Sequence, residues 1–168
     1  MTIRSILIAL FLLASPAMAQ QAVPPASDQS EGGRNLRAAL LQDALDVVQA
    51  ERKKAQAGHD HWIAGVADPV SVMVPHGAMG PDGQTRWRES LDTIKMVNAR
   101  FYPDTPIDFS RPAVDVTQPH PNDPAGVSPG QLRELRRMHA HRDDALGKVD
   151  ALIARMQAEI ATLRAGLQ

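Results

Sequence analysis

Cysteine is absent from all 168 residues. Disulfides, thiol nucleophiles, cysteine metal ligands and cysteine-linked lipids are therefore excluded together. Aromatic side chains make up only 4% of the chain, so any core must be built mostly from Leu, Ile, Val and Ala. Neither charge sign prevails: 18 Lys and Arg stand against 19 Asp and Glu. That balance lacks the basic footprint of nucleic-acid binding and offers no bulk attraction to an anionic membrane. Long apolar runs are missing too. The one sizeable run, residues 6–14, falls short of the roughly 20 residues that cross a bilayer, so no transmembrane segment is predicted. Enzyme signatures are lacking as well: there is no G-x-S-x-G elbow, no H-E-x-x-H pair and no phosphate-cradling loop. Residues 77–83 have the glycine content of such a loop, but Pro81 and the lack of a following Lys-Ser/Thr make them a turn.

What is present begins with a targeting pattern. Arg4 supplies a positive n-region, residues 6–14 an apolar stretch, and Ala17-Met18-Ala19 a small-x-small cleavage site after the helix-breaking Pro16. That order predicts a signal peptide over residues 1–19 and a periplasmic location. The absence of a twin-arginine pair points to the general secretion route. Residues 20–33 are polar with Pro and Gly and are expected to form a disordered leader. Residues 34–168 then suit a single helical domain.

Two long helices are predicted, over about 35–66 and 129–167. In the first, Leu36, Leu40, Leu41, Ala44, Leu45 and Val48 recur at steps of three and four. Gly58 either ends this helix, after Arg52, Lys53 and Lys54, or is tolerated at about 1 kcal/mol relative to Ala. In the second case Ala55, His59, Trp62 and Val66 continue the stripe to Asp68-Pro69. The C-terminal helix opens on Ser128-Pro129-Gly130-Gln131, which reads as N-cap, first-turn proline and capping-box partner. Its Leu132, Leu135, His139, Arg142, Leu146, Val149, Ile153, Met156, Ile160, Leu163 and Leu167 form a heptad seam that needs a partner. The N-terminal helix returning antiparallel is one candidate partner, and a second copy of the chain is the other.

The fold class expected is mainly α: a long antiparallel helical hairpin with a small proline-rich, aromatic-containing cap over about 67–128. Ten of the thirteen prolines fall between Pro69 and Pro129. Within the cap, Trp87, Leu91, Ile94 and Val97 share a helical face that Pro103 ends. Residues 70–74 and 113–117 read as two short strands that could pair.

The histidines are the main chemical candidates. They include two H-x-H pairs, His59-Asp60-His61 and His139-Ala140-His141. An antiparallel hairpin sets His59 opposite His139, and Asp143 follows His139 by one helical turn. His59, His139 and Asp143 are therefore the predicted ligands of a Zn²⁺ or Cu²⁺ site. The alternative is a polar layer that fixes helix register. Arg133, Arg136, Arg137 and Arg142 pose a second question, because positive charge near a helix N-terminus opposes the macrodipole. Either local acids compensate or the arginines face an anionic partner.

Residues 127–135 with His141-Arg142 resemble the L-T-x-x-Q helix starts of the periplasmic Spy and CpxP-like proteins and their heavy-metal-resistance relatives. Only Ser128 and Gln131 match, both as helix-cap positions. The resemblance implies a secreted helical hairpin with a chaperone or metal-linked stress role. The functional expectation is thus a non-enzymatic periplasmic binding or accessory protein. It would act through a protein partner or self-association along the C-terminal helix, with a metal- or stress-linked role as one form. The alternative is a structural subunit of an envelope secretion or conjugation machine, a minor-pilin-like helical protein.

Overall fold

A computed structural model describes Val23, Pro25, residues 30–67 and residues 80–166. The predicted signal peptide, most of the leader and the 70–74 strand lie outside the described residues. Three helices follow one another: α1, Glu31–Ala67; α2, Gly80–Phe101; and α3, Pro129–Ala165. Among the described residues no helix is long and apolar enough to cross a membrane.

Local chemistry sets the helix ends. Ser30 Oγ accepts from Gly33 N at 3.0 Å, so α1 starts at Glu31 and absorbs three residues read from sequence as leader. Val23, also from that segment, packs against the core. α1 runs through Gly58 without ending. In α3 the capping box is complete, because Ser128 Oγ accepts from Gln131 N and the Gln131 side chain accepts from Ser128 N. The basic cluster in α1 lies mid-helix, and there Arg52 reaches across to Asp150 at 2.5 and 2.9 Å.

α1 and α3 are antiparallel. Successive pairs along the bundle show it: Arg37–Glu159 at 2.6 Å, Arg52–Asp150 and Asp60–Arg142 at 3.1 Å. α2 is not part of a cap. It packs along α1, and its Trp87, Leu91, Ile94 and Phe101 join the same core as Leu41, Val48, Val149, Leu152 and Met156. Trp87 sits beside His141 and Tyr102 beside Glu159, so α2 runs parallel to α3 and antiparallel to α1. The antiparallel pair of α1 and α3 keeps the expected hairpin arrangement, and α2 joins it as a third packed helix in place of a cap. The buried side of α3 is also wider than a heptad seam, because Met138, His141, Ala145 and Leu152 are covered too. A helix with neighbours on more than one side needs a broader apolar stripe than a coiled coil does.

Residues 102–128 form the second correction. They run back along α3 from its late turns to its first: Thr105 meets Arg155, Asp108 meets Lys148, Phe109 meets His141, and Asp123 meets Arg136. Residues 113–117 are not a strand, and no β-strand occurs among the described residues. Here the Asp115 carboxylate accepts from Thr117 N at 2.9 Å and Thr117 Oγ1 at 2.6 Å, closing a local turn. Proline-rich backbone cannot sustain a ladder, so its carbonyls find side-chain donors instead. Lys148 donates to Asp108 O, Arg136 to Val116 O, and Asn98 to Thr105 O. This answers the arginine question for Arg136, which also holds Asp123 at 2.6 Å. Arg142 pairs with Asp60 and Asp143, and Arg137 approaches Glu134 at 3.5 Å.

At the end opposite Trp87, Glu159 ties the three helices together. It accepts from Arg37 Nε at 2.6 Å and from Tyr102 Oη at 2.9 Å, while the Arg155 guanidinium lies 3.9 Å from the Tyr102 ring centroid. Burial, and then the Glu159 bond, raise the Tyr102 pKa, so the phenol remains a donor. Glu159→Ala is expected to cost about 2 kcal/mol, because two largely buried donors lose one acceptor. Urea denaturation should show this, and a double-mutant cycle with Tyr102→Phe should return a coupling near 1 kcal/mol. Independent, additive losses would contradict the bridging role.

Candidate functional site

The polar and aromatic groups that set the chain apart meet around the C-terminal half of α1 and the N-terminal halves of α2 and α3. His59 is fully buried. Its ring is T-shaped to Trp62 at 5.4 Å and to Trp87 at 4.5 Å. Neither ring nitrogen has a hydrogen-bond partner. Burial, then the Arg142 charge and the neighbouring His141 and His139, push its pKa down to about 3, while Asp143 pulls weakly the other way. His139 is also buried and stacks on His120 with centroids 4.4 Å apart and planes within 6°. Burial and then His120 lower its pKa. His141 places Nε2 2.9 Å from Phe109 O and its ring 5.6 Å from Trp87.

His59 on α1 and His139 and Asp143 on α3 are the predicted metal ligands, and the charges of both others act on His59. Among the described residues no three His, Cys, Asp or Glu side chains gather to hold a metal ion. His59 turns into the indoles and His139 onto His120. Asp143 is 58% exposed and accepts from Arg142 Nε at 3.0 Å. Sharing a helical level is a weaker condition than converging on one point.

Beside these histidines opens a groove of about 450 Å³. Trp87, Leu91 and His141 line its base, while Trp62 and Phe109 stand at its sides. Its exposed polar lining is Arg88, Asp92 and Lys95 of α2 and Asp108, Ser110 and Arg111 of the crossover. The Arg111 guanidinium lies 5.9 Å from the Trp62 ring centroid and 3.5 Å from Glu134. The Asp108 carboxylate accepts from Ser110 N and Oγ at 2.9 and 2.8 Å, and these bonds hold it below the usual carboxylate range.

No family model, curated protein or solved structure matches this chain. The groove's size lies within the range of small-molecule sites, which are mostly apolar with a few placed polar groups. Sequence reasoning did not find it, because its lining comes from four separate segments. The one local signal was the charged edge Arg88, Asp92, Lys95 running beside the buried Trp87–Leu91 face.

Proposed function

We propose that this chain is a non-enzymatic periplasmic binding or accessory protein whose ligand seat is the groove at Trp87. One observation carries the reading: a concave, aromatic-walled site with polar groups on both lips. The periplasmic part is supported by the signal-peptide pattern of residues 1–19. The local resemblance of residues 127–142 to secreted helical hairpin proteins agrees with it. The binding role shifts from the α3 seam to the groove, because Leu135, Leu146, Val149, Met156 and Ile160 of that seam are buried within the bundle. A binding rather than catalytic role is supported by the histidines, since His59 is sealed from solvent and His141 is committed to Phe109 O.

The chain's two tryptophans both line the groove, so their indole N–H signals in an NMR titration report on it directly. Naphthalene-2-methanol, an uncharged ring probe, is expected to shift both. Phe109→Ala removes one aromatic wall while keeping the carbonyl that His141 contacts. It should weaken binding by about tenfold, the order of one lost aromatic contact. Met96→Ala, at a side chain 67% exposed and away from the groove lining, should leave the titration unchanged. Unmoved indole signals, or equal affinity in Phe109→Ala, would count decisively against the groove as a ligand seat.

A further inference from the structure

We infer that the ligand of this groove is a small aromatic monoanion, a ring carboxylate seated between Trp62, Trp87 and Phe109 with its acid group at the Arg88–Lys95 lip. The inference rests on the binding role proposed above and names the ligand's chemistry. The aromatic part follows from the walls. Three rings and Leu91 offer flat apolar surface, which a planar ring fills with little loss of conformational freedom.

The anionic part follows from charge placement. Arg88 and Lys95 are exposed on α2 and seven residues apart. Two helical turns put them on one edge, about 10 Å apart along the axis, flanking the Leu91 position. Arg111 adds a third cation from the opposite lip. Two acids oppose them, Asp92 and Asp108. Asp108 stays ionised, because its bonds from Ser110 stabilise the carboxylate, and Arg111 is drawn to Glu134 at 3.5 Å. The excess of positive charge is therefore local to the Arg88–Lys95 edge, where two cations flank the single acid Asp92. A guanidinium fork also matches the planar carboxylate geometry.

The test compares three probes sharing one ring system on the purified, processed chain: 2-naphthoate, naphthalene-2-methanol and 2-naphthylmethylammonium. The two indole N–H signals are the readout. At low salt the anion is expected to bind about tenfold tighter than the cation, with the alcohol between, and added salt should narrow the gap. Arg88→Gln combined with Lys95→Gln should remove the ordering, bringing naphthoate to the affinity that the alcohol has in the same variant. If the alcohol binds and naphthoate binds no tighter, the anion assignment is overturned and the groove remains a binding site. A preference for naphthoate that persists in the double variant also overturns it, because the named cations would not be its source. If none of the three probes moves the indole signals, this inference and the binding role fail together.

Discussion

Acidification from pH 6.5 to pH 5 is expected to destabilise the folded chain by about 2 kcal/mol through His59 alone. The imidazole has a folded pKa near 3 and an unfolded value of about 6.5. Above 6.5 both states hold it neutral, so its contribution does not change with pH. Below 6.5 the unfolded chain takes up a proton that the folded chain refuses. Stability then falls by about 1.4 kcal/mol per pH unit until the folded pKa is reached. His139, also lowered, steepens the same limb. Asp123 and Asp150 have depressed pKa values through Arg136 and Arg52, so their losses come below the usual carboxylate range and leave pH 6.5–5 to the histidines. Urea denaturation across this interval measures the slope. His59→Leu should flatten it and should not weaken the protein at pH 7.5, because the imidazole's ring nitrogens are buried without partners. An unchanged acid limb in His59→Leu would remove His59 as its source.

Gly83→Ala is expected to cost about 3 kcal/mol. A Cβ there would stand 2.7 Å from Gly58 O and 2.9 Å from Trp62 N, both backbone atoms that a rotamer change cannot move away. Gly58→Ala meets Gly83 O and Trp87 N at 3.0 Å, so the two glycines mark where α1 and α2 touch backbone to backbone. Alanine at an open helical glycine has the opposite effect. Gly147 has nothing within 4 Å of a built Cβ, and Gly147→Ala should stabilise α3 by about 0.5–1 kcal/mol. Thermal or urea melts of the variants test this together. Gly83→Ala as stable as the parent would mean that the crossing is looser than described. The crossing also sets the spacing of Trp62 and Trp87, so Gly83→Ala should disturb the groove along with stability.

The start of α3 was legible because capping is local chemistry. Ser128, Pro129 and Gln131 announce the start of α3 within four residues, and the three-and-four spacing of Leu135, Leu146, Val149 and Met156 marks its inner side. The face of α2 was legible from Trp87, Leu91 and Ile94 for the same reason. Gly58 was not, since a glycine in a helical pattern reads equally as a cap or as a point of close approach. The neighbour that settles the matter, Gly83, is 25 residues away in the chain. The proposed metal trio shows the converse. Periodicity predicts one level for His59 and His139, but side-chain direction came from Trp87 and His120, which no spacing rule connects to them.

Composition and spacing were enough to establish a cysteine-free, mainly helical chain with two long amphipathic helices and their caps, because these depend on residues a turn or two apart. What covers the α3 seam, where the proline-rich crossover lies, and which rings and charges share the groove depend on contacts between distant segments. Helical periodicity says which side of a helix is buried and is silent about what buries it. A groove built from Trp62, α2, the crossover and His141 therefore exists only once those segments have packed.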